Sequence, residues 1–153
     1  MPSNQAASEL SAHLGYWLRY VSNHVSQAFA RKVEAHGVTV AEWVLMRQLL
    51  DKEALAPSRL AERMGMTRGA ISKLAERLIA KSLLVRAADP EDGRAQTLAL
   101  TRAGRALVPG LAALADANDA EFFDHLAPKD RAALLRILRG IVERRGLKSL
   151  PVD

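Results

Sequence analysis

Arg68, Gly69, Ser72 and Lys73 stand close together just after Thr67, and their types and spacing suit them to recognise an anion. Two are cations, one is a hydroxyl donor, and the glycine leaves backbone accessible. Such residues at the start of a helix suit the major groove of a duplex, which accepts a helix N-terminus. Covalent and metal chemistry find no comparable support. The chain has no cysteine, which excludes disulfides, thiolate zinc sites, iron–sulfur clusters and a thiol redox switch. His13, His24, His36 and His125 form no i, i+4 pair and have no carboxylate at ligand spacing, so no metal site is expected. No nucleophile elbow or phosphate loop is present. Catalytic residues and cofactors are therefore expected to be none.

The charge pattern points the same way. Ten of the 22 Lys/Arg and five of the 17 Asp/Glu fall between Leu55 and Arg105, leaving twelve of each elsewhere. The whole net charge of +5 thus sits on one third of the chain. That is the footprint of a polyanion-binding module on a neutral scaffold. A solvated, arginine-rich helix surface would give the same count.

The elements that must position these residues follow from periodicity and capping. Leu10, Leu14, Trp17, Leu18, Val21, Val25, Phe29 and Val33 recur in steps of three and four, predicting one long amphipathic helix closed by His36-Gly37. Thr39 and Glu42 form a capping box for a second helix through Trp43, Leu45, Met46, Leu49 and Leu50. Ala56-Pro57 opens a short third helix ending at Met64-Gly65, and Thr67 caps a fourth with Ile71, Leu74, Leu78 and Ile79. Leu60 to Leu78 has helix-turn-helix spacing, with small Ala61 at the crossing and Gly65 in the turn. An ordinary helical corner shares that spacing.

The period changes after Ser82. Leu83–Arg86 and Arg94–Leu100 read as two strands around the turn Asp89-Pro90-Glu91-Asp92-Gly93. A hairpin directly after a helix-turn-helix is a wing, and Arg94 at its tip suits a narrow minor groove. Thr101 caps a fifth helix, and a sixth follows Pro128 with Leu134, Leu135, Ile137, Leu138, Ile141 and Val142. The expected fold class is mainly α with one β-hairpin wing. The start lacks a signal-peptide pattern and no apolar run reaches membrane-spanning length, so a cytoplasmic protein with no membrane partner is expected.

From Leu60 to Gly104 the chain resembles the MarR family of multiple-antibiotic-resistance-type regulators. The residues that carry the resemblance are LAERMGMT from Leu60, the D-P-x-D-x-R pattern from Asp89 to Arg94, and LALTRAG ending at Gly104. The resemblance implies a triangular homodimer that binds palindromic double-stranded DNA. Its first, fifth and sixth helices (1–38 and 106–153) would dimerise, and 39–105 would be the winged module. Thr67 to Lys81 matches the family's recognition helix, Arg94 its wing arginine, and Asp92 the acid that steadies the wing. Ser58, Thr67, Arg68, Gly69, Ser72, Lys73, Arg77, Arg86, Asp92 and Arg94 form the expected DNA-binding set. Ser82 stands where the family usually has glycine, so a different helix exit is expected there. Gly69 lowers helix propensity in the first turn of the recognition helix and would let backbone approach DNA.

A second cluster stands apart from the DNA-binding set. His13, Tyr16, Trp17 and Tyr20 crowd the first helix, and Trp43 and Arg47 lie on the second. They could line an effector pocket for a small aromatic or anionic molecule, with Arg47 or Arg19 pairing its carboxylate. MarR-type regulators often bind phenolic or aromatic acids between the dimer and DNA-binding regions. Core packing of Trp17 and Trp43 is the plainer alternative. The expected function is a sequence-specific regulator, a repressor released by an effector. Its rivals are a winged helix that binds nucleic acid without sequence readout or binds protein, and an enzyme with a basic pocket.

Overall fold

The structure is a computed structural model and describes residues 6–89, 91 and 93–147. A 3-10 turn at Leu10–Ala12 precedes α1 (Leu14–Glu34), α2 (Val40–Leu50), α3 (Pro57–Met64) and α4 (Arg68–Ala80). The hairpin β1 (Leu84–Ala88) and β2 (Gln96–Leu100) follows, then α5 (Arg102–Phe123) and α6 (Pro128–Arg145). This is the mainly helical fold with one wing that the sequence predicts. No helix among the described residues is long and apolar enough to cross a membrane.

The first helix is shorter than its periodicity suggests. His13 is extended (φ −98°, ψ 128°), so the chain breaks before α1, and the Trp17 indole N–H donates to the Ser11 carbonyl at 2.9 Å. The starts of α2, α4 and α5 follow their threonine caps, while α3 and α6 begin at Pro57 and Pro128. In the Thr39 box the hydroxyl accepts from the Glu42 N–H at 3.1 Å and the Thr39 N–H donates to Glu42 Oε1 at 2.9 Å. The Thr67 and Thr101 hydroxyls accept from Ala70 N–H and Gly104 N–H at 3.1 and 3.0 Å.

The α4 exit differs from the expectation. Ser82 keeps the left-handed conformation that a glycine would take, with φ 61°. Its N–H donates to Ile79 O at 2.9 Å, and the Leu83 N–H to Leu78 O at 3.0 Å. These two bonds form a Schellman motif, which satisfies carbonyls at the helix end. They outweigh the side-chain crowding of a serine in this region. They also draw Leu83 into the cap, so β1 begins at Leu84 rather than Leu83. The return strand likewise begins at Gln96, leaving Arg94 in the turn.

The strands pair antiparallel from Leu84 opposite Leu100 to Ala88 opposite Gln96. Leu55 adds a bridge on the other edge of β2, exchanging N–H···O bonds of 2.9 and 2.8 Å with Leu98. That bridge ties the α2–α3 connection to the base of the wing. Leu45, Met46, Leu49, Leu60, Ile71, Leu78, Leu98, Val108 and Leu111 are fully buried in one core drawn from α2, α3, α4, β2 and α5. By contrast α6 has no buried residue, and Leu14, Trp17, Leu134, Ile137 and Ile141 are all exposed. The core thus secures the winged module, while the flanking helices leave apolar faces uncovered.

Candidate nucleic-acid interface

Helix α4 is held by one face and presents the other. Ile71, Leu74, Ala75 and Leu78 are buried, whereas Arg68, Gly69, Ser72, Lys73, Glu76 and Arg77 are exposed. The preceding turn needs Gly65, whose φ of 63° lies in the left-handed region that a side chain disfavours. Thr67 caps the helix but leaves other first-turn N–H groups without helical partners. The positive end of the helix dipole therefore faces outward together with the Arg68 and Lys73 side chains.

The cations on this face are largely uncommitted. Among the described residues, Arg63, Arg68, Lys73, Arg77, Arg86 and Arg102 have no carboxylate within ion-pair distance. Arg94 is exposed in the turn between the strands, Arg86 is exposed on β1, and Ser58 is half-buried in the first turn of α3. Asp92 lies outside the described residues. Gly69 is not required by the protein itself, since a Cβ there would meet only Thr67 Oγ1, at 4.0 Å.

Two basic residues of this region serve the protein instead. The Arg105 guanidinium donates to Leu50 O at 2.9 Å and closes the C-terminal end of α2. Lys81, at the end of α4, donates to Gly37 O at 2.8 Å and to both oxygens of buried Glu42. Burial alone would raise the Glu42 pKa. The hydrogen bonds from Lys81 and Thr39 outweigh it and hold the carboxyl below its ordinary range. Sequence reading took Thr39 and Glu42 for a cap alone, because nothing local links Glu42 to a lysine 39 residues away.

The base of the wing is joined to α5 by Gly104, another residue whose role periodicity did not reveal. A Cβ on Gly104 would overlap the Leu83 carbonyl and stand 3.2 Å from Leu100 Cδ2. Thr101 completes this junction by donating from its N–H to Leu83 O at 3.1 Å and from its hydroxyl to Ser82 O at 2.7 Å. These contacts give the glycine in LALTRAG its physical reason. On the scaffold side, buried Asn118 accepts from Lys32 Nζ at 2.9 Å and donates to Val25 O at 3.1 Å, fixing α5 against α1.

The six residues of the expected effector pocket fall in two places. Tyr16, Trp17 and Tyr20 touch one another on the exposed half of α1, with Tyr20 stacked on His24 at 5.2 Å. His13 is exposed just before them. Trp43 instead packs in the core, and Arg47 pairs with Asp51 at 3.0 Å. Among the described residues no ring contact joins Trp43 to the α1 rings. Beside Trp17, a groove of about 730 Å³ runs between α1, the end of α5 and α6, lined among others by Leu14, Val21, Phe122, Phe123 and Leu138.

A helix-turn-helix with unpaired cations on its second helix, followed by a two-stranded hairpin, defines a winged helix-turn-helix DNA-binding protein. The MarR family model matches residues 36–95, from the end of α1 into the wing. A transcriptional repressor of Mycobacterium bovis is 30% identical over 121 residues, covering 78% of this chain and 87% of the repressor. The chain belongs to the MarR family, and it is a DNA-binding transcriptional regulator rather than an enzyme. Among solved structures, BpsR of Bordetella bronchiseptica is 26% identical with a TM-score of 0.77, covering 89% of this chain and 97% of BpsR. A mutant MarR of E. coli in complex with operator DNA shares the fold at 20% identity and a TM-score of 0.75, covering 84% of this chain and 93% of that one.

Proposed function

We propose that the chain is a repressor that binds a pseudo-palindromic operator as a homodimer and is released by a small aromatic acid. The observation that carries the DNA reading is the outward face of α4, where Arg68, Lys73 and Arg77 are exposed and lack carboxylate partners among the described residues. Desolvating such cations is favourable only against an anion that pairs with them. Arg86 and Arg94 extend the basic surface along the wing. E. coli MarR, which shares this fold, has been solved in complex with operator DNA; in our reading α4 enters the major groove and the wing lies beside it.

The dimer reading rests on the uncovered apolar faces of α1 and α6. Leu14 is 82% exposed, Trp17 51% and Leu138 38%, and all three line one groove rather than scattered sites. Apolar surface on that scale marks an association site. A second copy, presenting the same helices by two-fold symmetry, fits it. Residues 1–38 and 106–153 would form this scaffold and 39–105 the reading head.

DNA binding by BpsR is regulated by 6-hydroxynicotinic acid, and an aromatic acid of that kind is our proposed effector. It would stack on Tyr16, Trp17 or Tyr20, with His13 nearby. Trp43 would act through the core, and Arg47 would have to leave Asp51 to reach a carboxylate. Sedimentation of the free chain and of its complex with a selected duplex tests the proposal. Two chains free and two per duplex support it, and one chain per duplex overturns it.

A further inference from the structure

The Lys81 ammonium uses all three of its protons inside the protein. It donates to Gly37 O at 2.8 Å, Glu42 Oε1 at 3.0 Å and Glu42 Oε2 at 2.9 Å. Each acceptor belongs to the junction between α1 and α2. Gly37 is the left-handed residue (φ 83°) that turns the chain out of α1. Glu42 is buried in the first turn of α2, and its Oε1 also accepts the Thr39 N–H at 2.9 Å. One cation therefore fastens the far end of α4 to the two helices that join the scaffold to the winged module.

We infer that Lys81 and Glu42 are positioning residues that set the angle of α4 relative to α1, and through it the operator spacing the protein accepts. The inference rests on the operator reading above for its DNA consequence, but not for its geometry. Among the described residues, the Lys81 side chain hydrogen-bonds to Gly37 and Glu42 and to no side chain of the proposed DNA face, so it acts through the direction of the helix. The lever is long. Thirteen residues of α4 span about 20 Å, so a tilt of about 10° at the Lys81 end moves the first turn by roughly 3 Å. That is about one base-pair step, ~3.4 Å along each strand. The apolar side of α4 limits such tilts without forbidding them, because Ile71, Leu74 and Leu78 can slide against the core by small amounts. The ion pair and the carbonyl bond add a directional restraint that apolar packing does not supply.

The test pairs two readouts on the full chain. The variant is Lys81→Met with Glu42→Gln, which removes both charges while the Gln carbonyl still accepts the Thr39 N–H. Should it fail to fold, Glu42→Gln alone takes its place. Because the chain has no cysteine, spin labels at Arg31→Cys on α1 and Glu76→Cys on α4 are unique, both sites being exposed. Labelled chains diluted with unlabelled ones report the α1–α4 distance without DNA. The expected result is a shift or broadening of roughly 2–3 Å in the variant. On duplexes whose half-sites are moved by one base pair, a wild-type preference of about tenfold should fall to about threefold or less. Lys81→Arg alone, with Glu42 kept so that the guanidinium fork can take both of its oxygens, should retain it. An unchanged distance and unchanged spacing preference in a folded variant overturn the inference. A distance shift in a protein that never discriminates spacing upholds the geometric tie and overturns the operator reading instead.

Discussion

The Lys81 ammonium lies 3.0 and 2.9 Å from the two oxygens of Glu42, a carboxylate with no exposed surface. Removing one partner leaves the other unsatisfied, so Lys81→Met should destabilise the fold by about 1–3 kcal/mol, moderated because Lys81 itself is partly exposed. The pair also gives stability a pH dependence of known sign. The folded Glu42 pKa is lowered, so its contribution is present above the unfolded carboxyl value and is lost as pH falls through the folded one. The stability gap between wild type and Glu42→Gln should therefore be full near neutrality and narrow below about pH 4, as read from urea midpoints. A gap that stays constant with pH would show that Glu42 gains nothing from its charge.

Gly104 and Gly110 should respond oppositely to alanine. At Gly104 the new methyl would overlap the Leu83 backbone, and a carbonyl anchored by Thr101 cannot move aside easily. Gly104→Ala should cost about 3 kcal/mol or more and loosen the wing. Gly110, also in α5, has nothing within 4 Å of its Cβ position, and Gly110→Ala should raise stability by about 0.5–1 kcal/mol. Thermal midpoints of the two variants check this; equal losses would contradict it.

Ser82→Gly should stabilise the chain. A serine at φ 61° carries strain that glycine lacks, about 1 kcal/mol, while the Schellman bonds of Ser82 and Leu83 use backbone only. The expected rise in Tm is about 2–4 °C. A lower Tm would mean that the serine side chain contributes more than it strains.

These residues also mark how far the sequence could be read. Thr39, Pro57, Gly65, Thr67, Thr101 and Pro128 announced helix ends because caps and turns are local, satisfied within three or four residues. The unpaired face of α4 was legible for the same reason: helical period separates Ile71, Leu74 and Leu78 from Arg68, Ser72 and Lys73. What joins distant segments was not. Leu55 meets Leu98, Lys32 meets Asn118, and Lys81 meets Glu42, and no local pattern encodes those partners. Ser82 misled because a side-chain preference was weighed without the backbone bonds that oppose it. Trp17 and Trp43 looked alike in sequence, yet one is exposed on α1 and the other packs in the core. Periodicity gives a face and leaves open what covers it.

Arg68 and Arg94 should fail differently on DNA. Arg68→Ala should cost ~1–3 kcal/mol at the preferred site and relax one position per half-site, if its fork reads guanine. Arg94→Ala should weaken binding to most sequences together, since a wing arginine responds to groove shape and potential. Gly69→Ala should separate stability from binding, raising Tm while weakening DNA affinity, because the protein leaves that Cβ position open. Binding to a panel of single-base operator variants distinguishes these patterns. Uniform losses for both arginines would make Arg68 a phosphate contact.

Selection of bound duplexes from a random pool, followed by footprinting of the winners, tests the central claim most directly. In the proposed dimer, two copies of α4 related by a two-fold axis would enter successive major grooves on one face of the duplex. The selected sites should therefore be pseudo-palindromes with half-site centres about 34–36 Å apart. A single asymmetric element protected by one chain, or no enrichment over random sequence, would contradict the account.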